Sequence, residues 1–226
     1  MKTLKPKRVQ FWLLLVLLFI GLTGAWTAGD ADNNAGNVKF FRSGHVRNLA
    51  IASRSASVIA PCSSIVINEV DSVTGPPDNK EFIELFSSDG QCSLNGLVVV
   101  LYDGFTDKSY AAFDLDGETT NANGFFLLGN ALVVPLPDIV FPNGLLQNGA
   151  DAVALYMDDA SSFPNGTRVT AEHLVDAIVY DTGQAPDHGL LDVLTPSQPQ
   201  VNENSHGISP SESNQRCRNG SGGPLN

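Results

Sequence analysis

The sequence predicts an all-β fold, an antiparallel β-sandwich, on three observations. From Cys62 onward, short runs of β-branched and aromatic residues alternate with turn signals rich in Gly, Pro, Asn and Asp. The runs recur at spacings of roughly 10 to 20 residues. None of them has the length and the 3.6-residue period of an amphipathic helix. This pattern is typical of immunoglobulin-like sandwiches, and a chain of 226 residues can hold one such domain with extensions.

The strands can be placed in chain order from these runs. We expect them at residues 64–70, 81–86, 97–104, 109–117, 124–130, 151–157 and 173–181. The stretch "PLPDIVFPNG" is expected to hold at most a short edge strand, because proline limits ladder pairing. The stretch "GLLDVL" at 189–194 is expected to form a short helix or a turn, and the rest of the tail an extended coil.

The second strand, "EFIELF", places two acids among large apolar residues. Because a strand has a period of two, Glu81 shares a face with Ile83, whereas Glu84 shares the other face with Phe82. One of the two acids must therefore point towards the core. For the same reason the two cannot form a carboxylate pair within that strand.

The first 61 residues differ in character from the rest. A basic start, "MKTLKPKR", precedes an uncharged apolar run of 16 residues, which is short for a membrane-spanning helix of about 20 residues. Thr23 and Ala25 offer a cleavage pair, so residues 1–25 are predicted to be a secretory signal peptide. The alternative is an uncleaved signal-anchor with the following domain outside the cell. Residues 26–61 are predicted to be a linker, within which 37–60 could be a pro-segment, a short helix or a stalk.

Charge is distributed unevenly along the chain. Residues 1–61 carry eight Lys or Arg and two Asp, a net charge of +6. Residues 62–226 carry five Lys or Arg and 22 Asp or Glu, a net charge of −17. A domain this acidic repels phosphate backbones, so nucleic acid is not an expected partner.

Cysteines and sequons fit the secretory route. Antiparallel pairing of the first two strands brings the start of the first and the end of the second to one end of the sandwich, which favours a Cys62–Cys92 disulfide. The alternative is Cys92–Cys217, and either pairing leaves one cysteine for a disulfide-linked dimer. The sequons "NGT" at Asn165 and "NGS" at Asn219 predict N-glycosylation.

The motifs from about Ser63 to the C-terminus resemble the lamin-tail domain, an immunoglobulin-like sandwich, in the family's order. "IVINEV", "EFIELF", "SLNGLVVVLYDG" and "GFFLLGN" are similar to its early strands, and "LLQNGADAVALY" with "HLVDAIVY" to its paired late strands. "SESNQRC" and "SGGPLN" resemble its tail. The resemblance implies a sandwich and a set of structural signature residues: Asn68, Glu69, Glu81, Glu84, Asp151, Asp176 and Arg216.

Catalytic, metal and cofactor sites are not expected. There is no G-x-S-x-G elbow, and "DLDGET" at 114–119 departs from the EF-hand pattern and is expected to form a hairpin turn. Glu69, Glu81 and Glu84 suggest a glycosidase-like pair, but as signature residues they are expected to serve the fold. Because cations are scarce, we expect Arg216 to cross back to Glu84 or Glu81 and to clamp the tail onto the sandwich.

These observations predict a secreted, non-enzymatic binding, adhesion or matrix module built on one lamin-tail-like domain, residues 62–226. The expected partner is an extracellular protein or matrix component, and a membrane is involved only if the signal sequence is uncleaved. Two alternatives stay open. One is an accessory domain in secreted nucleic-acid or polysaccharide degradation, and the other is a membrane-anchored ectodomain.

Overall fold

The computed structural model describes residues 58–216, which form two five-stranded β-sheets. The predicted signal peptide, residues 26–57 of the predicted linker, Cys217 and Asn219 lie outside the described residues. No helix within residues 58–216 is long and apolar enough to cross a membrane.

The first sheet has the strand order β10-β1-β2-β5-β6. Its strands are β1 (Val66–Asp71), β2 (Phe82–Phe86), β5 (Phe125–Gly129), β6 (Ile139–Val140) and β10 (Asn214–Gln215). All neighbours are antiparallel except β5 and β6, which run parallel.

The second sheet has the order β4-β3-β7-β8-β9. Its strands are β3 (Val98–Asp103), β4 (Lys108–Asp114), β7 (Asp151–Tyr156), β8 (Leu174–Asp181) and β9 (Val201–Asn202). A single α-helix among the described residues, α1 (His188–Leu194), lies between β8 and β9 in the chain. Here β8 and β9 form the parallel pair.

A hydrophobic core fills the space between the two sheets. Its members are alternate residues of each strand, as the period of two requires, except in β1, where an extra residue separates Ile67 from Val70. The first sheet contributes Ile67, Val70, Ile83, Leu85, Phe126 and Leu128, and the second Val99, Leu101, Val153, Leu155, Ile178 and Tyr180. Burying each large side chain of this kind contributes about 1.5–3 kcal/mol, so the core provides the main stabilisation.

The outer face of the second sheet is covered by a second apolar cluster. Leu190, Leu191 and Leu194 of α1 pack with Phe163 against the residues of β3, β7 and β8 that point away from the first core. Strands covered on both faces are apolar throughout, which explains the runs "VVVLY" and "DAVALY". Apolar side chains of the described residues therefore cover both faces of this sheet.

The seven predicted main strands and the β-sandwich are confirmed, with bounds that differ by at most three residues. The expectation of a wholly antiparallel sandwich is wrong for β6 and β9, since each two-residue edge strand pairs in parallel with its neighbour. The expected hairpin around "DLDGET" is also wrong. The segment that contains this stretch instead connects β4 of the second sheet to β5 of the first. Gly117 and Gly124 in that segment do adopt the positive φ that its turns require.

Candidate functional site

The outer face of the first sheet carries the main candidate site. Because Ile83 and Leu85 point into the core, the residues between and beside them point outward. This outer surface has an acidic half and an aromatic half, and we call the whole the acidic face. It consists of Glu69, Asp71, Glu84, Phe82, Phe86 and Phe125. All six are partly exposed, and the rings of Phe86 and Phe125 lie 4.9 Å apart.

A β-bulge in β1 sets the geometry of its acids. The pairing with β2 shifts between Ile67 and Glu69, which leaves Asn68 as the extra residue and places Glu69 directly opposite Glu84. Directly opposed residues have Cβ atoms about 4.5–5.5 Å apart, so two carboxylates are neighbours on this face. The side-chain amide of Asn68 donates to Glu84 Oε1 at 2.7 Å. Burial, followed by the charge of Glu69, raises the pKa of Glu84 above its ordinary value even though Asn68 lowers it.

Ser213, just before β10, and Gln215 of β10 supply further donors to one of these acids. Ser213 Oγ and Gln215 Nε2 donate to the two carboxylate oxygens of Glu69. None of the three acids of the face forms an ion pair with another residue in the described part of the chain. The face therefore presents two carboxylates, those of Glu69 and Glu84, that are held by neutral donors and form no ion pair within residues 58–216.

The third acid, Asp71, lies at the end of β1 beside the tail. Burial raises the pKa of Asp71 to about 8, and the nearby carboxylates of Glu203 and Glu69 add to this effect.

Glu203 itself is buried and accepts hydrogen bonds from Ser72 N, Ser72 Oγ and Val73 N at 2.6–3.0 Å. Glu203 thus fixes the segment after β9 to the end of β1. The sequence gives no sign of this role, because 131 residues separate the partners.

Glu81 is the acid of "EFIELF" that faces inward. It is fully buried, and its Oε2 accepts the N–H of Leu145 at 3.1 Å. Its backbone forms two bonds with Asn130, from Asn130 N to Glu81 O and from Glu81 N to Asn130 Oδ1. Burial, with a smaller contribution from Asp78, raises the pKa of Glu81 to about 7.

The raised pKa of Glu81 predicts a pH dependence of stability. Between its ordinary pKa of 4.5 and its folded pKa of about 7, the folded state keeps a proton that the unfolded state releases. The free energy of unfolding should therefore fall as pH rises through this window, by up to roughly 3 kcal/mol. Glu81→Gln should remove this part of the decline, so that the variant is more stable than the wild type at pH 8.

Urea unfolding of both proteins at pH 5 and at pH 8 measures this effect. Glu172→Gln, at an exposed position, is the matched control and should behave as the wild type does. Parallel pH profiles for Glu81→Gln and the wild type would contradict the assignment.

Arg216 clamps the tail onto the sandwich, but through a partner other than the expected one. Its Nη2 donates to both carboxylate oxygens of Asp176 at 2.7 and 2.8 Å, and its Nε donates to Ile67 O at 2.8 Å. The expectation of Glu84 or Glu81 is wrong, because Glu84 points away from the core and Glu81 lies before the start of β2, where its carboxylate accepts the N–H of Leu145. Asp176 also accepts the N–H of Ile67 at 2.8 Å, so one ion pair joins β8, β1 and the segment after β10.

The remaining signature acid, Asp151, begins β7 and has a structural role. It is buried, and it accepts the N–H groups of Gly104 and Gly149 at 2.9 and 3.1 Å. Burial raises the pKa of Asp151 despite these donors. Asp151 thus accepts the backbone N–H groups of two turns that lie beside the start of β7.

The disulfide Cys62–Cys92 is present, as the antiparallel arrangement of β1 and β2 predicts. Such a bond is typical of proteins in an oxidising compartment. Asn165 lies exposed on the connection between β7 and β8, where Ser109 of β4 binds Thr167 N through its hydroxyl group. Glycosylation at Asn165 stays a prediction. Asn165 itself lies in a loop beside the second sheet.

No group of three or more His, Cys, Asp or Glu side chains within residues 58–216 is arranged to hold a metal ion. No protein-family model matches this chain, and no curated protein shows significant similarity to it.

Proposed function

We propose that this protein is an extracellular binding, adhesion or matrix module, a lamin-tail-like sandwich of immunoglobulin type that engages its partner through the acidic face. The observation that carries the proposal is an asymmetry between the sheets. The outer face of the second sheet is covered by α1 and Phe163, whereas aromatic and acidic side chains remain partly exposed on the first. Exposed apolar groups set beside ordered polar groups are typical of interaction sites.

The chemistry of this face favours a partner that presents Lys or Arg together with apolar groups. Glu69 and Glu84 are adjacent like charges, and each is held by neutral donors. A cation from a partner relieves their repulsion and makes charge-assisted hydrogen bonds. The net charge of residues 62–226, −17, attracts such a partner over a longer range.

Three features support an extracellular setting. The Cys62–Cys92 bond suits an oxidising compartment, and the N-terminal sequence has the pattern of a secretory signal. The sequon at Asn165 lies at the second sheet, so a glycan there leaves the acidic face clear. The order of strand motifs supports the lamin-tail assignment.

A non-enzymatic role is supported by what the signature acids bind. Glu81, Asp151 and Asp176 accept backbone N–H groups inside the domain, and Asp176 also holds Arg216. These contacts favour a role in holding the fold together over a role in a reaction. Glu69 and Glu84 remain as groups for recognition.

The test compares two variants that lose the same amount of charge. The labelled, secreted full chain is titrated onto extracellular matrix deposited by the cells that produce it, at about 0.15 M salt. Glu69→Gln/Glu84→Gln alters the acidic face, and Glu172→Gln/Asp192→Asn removes two exposed acids elsewhere. We expect at least about tenfold weaker binding for the first variant and wild-type binding for the second, because each lost charge-assisted contact contributes about 1.5–3 kcal/mol. Equal affinities for the two variants, or no saturable binding by the wild type, would refute the proposal.

A further inference from the structure

The middle of the acidic face places one carboxylate among aromatic rings. Glu84 lies two residues from Phe82 on one side and two residues from Phe86 on the other, so all three share the outer face of β2. Residues at this spacing in a strand are about 7 Å apart. Phe86 is paired with Phe125 of β5, and their rings are 4.9 Å apart and inclined by 46°. Glu84 therefore presents its carboxylate on a surface whose neighbours on β2 are apolar.

The carboxylate of Glu84 has one oxygen that is available to a ligand. Its Oε1 accepts the N–H of Asn68 Nδ2 at 2.7 Å, whereas its Oε2 has no hydrogen-bond partner within residues 58–216. Burial raises the pKa of Glu84 above its ordinary value, because the carboxylate is partly removed from water. A partly desolvated carboxylate that forms no ion pair gains most from a cation that is itself easily desolvated.

The amide group that holds Glu84 has an unpartnered oxygen of its own. Asn68 is fully buried in the bulge of β1, and its Oδ1 has no hydrogen-bond partner in the described part of the chain. A buried acceptor without a donor costs free energy, so a water or a ligand is expected to donate to it. Directly opposite Glu84, both oxygens of Glu69 accept one hydrogen bond each and have capacity for another. Acceptors are thus in excess here, and their complement is a cation with several N–H donors.

We propose that the acidic face recognises arginine, rather than lysine, on an apolar segment of its partner, with the guanidinium group stacked on Phe86 and Phe125 and donating to Glu84. This recognition rests on the proposed function, since it takes place at the same face. A guanidinium group is flat, carries five N–H donors and is more weakly hydrated than an ammonium group. It can therefore lie on an aromatic ring and bind a carboxylate at its edge at the same time. The ammonium group of lysine is compact and strongly hydrated, so it loses more hydration on this surface.

The dimensions of the face fit this arrangement. A cation interacts with an aromatic ring when it lies within about 6 Å of the ring centre, and its N–H groups need an acceptor at about 2.9 Å. Glu84 and Phe86 are about 7 Å apart along β2, so a guanidinium group between them meets both limits. Val66 is partly exposed and is paired with Phe86, and it offers apolar contact to the neighbouring side chains of the partner.

Capped peptides that differ at one position test the proposal, with arginine, lysine or trimethyl-lysine between two valines. Each peptide is titrated by NMR into the purified full chain, with its disulfide intact, at about 0.15 M salt. We expect the arginine peptide to bind with a Kd on the order of 1 mM, at least about threefold more tightly than the lysine peptide. The trimethyl-lysine peptide should also bind more weakly than the arginine peptide, because it has no N–H to donate to Glu84.

Three variants locate the source of the preference. Phe125→Leu removes a ring and keeps an apolar side chain, so it should lower the affinity for the arginine peptide to that for the lysine peptide. Glu84→Gln removes the charge and should weaken the binding of both peptides at least about fivefold. Phe105→Leu is the matched control, because Phe105 is 98% exposed on the turn between β3 and β4, outside the acidic face. It should bind both peptides as the wild type does.

Equal affinity of the wild type for the arginine and lysine peptides overturns the proposal. Tighter binding of the trimethyl-lysine peptide overturns it too and indicates a site for quaternary ammonium groups. A preference for arginine that persists in Phe125→Leu also contradicts it. These results are distinguishable from failure of the proposed function. Matrix binding that depends on Glu69 and Glu84, combined with equal affinity for the two peptides, leaves that function standing and refutes only the recognition of arginine.

Discussion

Replacing Arg216 with alanine is expected to lower the free energy of unfolding by about 3–5 kcal/mol. Arg216 is only 8% exposed, and its guanidinium group binds both oxygens of Asp176 as well as Ile67 O. Burial raises the pKa of Asp176, whereas the charge of Arg216 and the N–H of Ile67 lower it. Without the arginine, a largely buried carboxylate loses its counter-charge and keeps only backbone donors, and the carbonyl of Ile67 loses the guanidinium N–H. Loss of one partner of such a pair costs more than the pair contributes.

Chemical denaturation of wild type, Arg216→Ala, Asp176→Asn and the double variant measures this effect and the coupling between the two residues. The double variant should be less destabilised than the sum of the single ones. Arg168→Ala is the matched control, because Arg168 is exposed, and it should change stability by less than about 0.5 kcal/mol. If Arg216→Ala loses no more than Arg168→Ala, the clamp does not hold the tail.

Replacing Cys62 and Cys92 with serine is expected to cost about 3–4 kcal/mol, because the bond closes a loop with a sequence separation of 30. The bond also fixes the segment before β1 against the segment after β2, where Cys62 N donates to Ser93 O and Ser93 N donates to Ala60 O. In the double serine variant we expect both a lower melting temperature and faster proteolysis between residues 58 and 65.

The control for this prediction is Cys217→Ser, which leaves the Cys62–Cys92 bond in place and should melt as the wild type does. Peptide mapping without reduction should recover Cys62 linked to Cys92 in both the wild type and this control. Recovery of a Cys92–Cys217 peptide, or equal melting of the double serine variant and the wild type, would contradict the account.

Local periodicity is sufficient to predict much of this fold. The period of two in "EFIELF" separates Glu81 from Glu84, and the structure buries Glu81 and leaves Glu84 partly exposed. The continuous apolar strands β3 and β7 follow from coverage on both faces. The Cys62–Cys92 pairing follows from the antiparallel neighbours β1 and β2.

The features that sequence reasoning missed depend on contacts between distant segments. Arg216 meets Asp176 because β1 of one sheet lies over β8 of the other, and no local sequence pattern predicts that stacking. Glu203 meets Ser72 across 131 residues for a similar reason. The exposed connection at residues 131–137, between β5 and β6, had a signal in the sequence, since "ALVVPLP" is apolar without strand alternation and contains two prolines.

Carboxyl footprinting of the bound protein tests the central claim, that the acidic face contacts the partner, most directly. Carboxylates of the full chain are labelled with a carbodiimide and an amine, free in solution and bound to matrix, and the label is located by mass spectrometry. The account predicts that binding protects Glu69 and Glu84, whereas the labelling of Glu172 and Asp192 stays the same. Unchanged labelling of Glu69 and Glu84 with protection at Glu172 or Asp192 would place the partner elsewhere and contradict it.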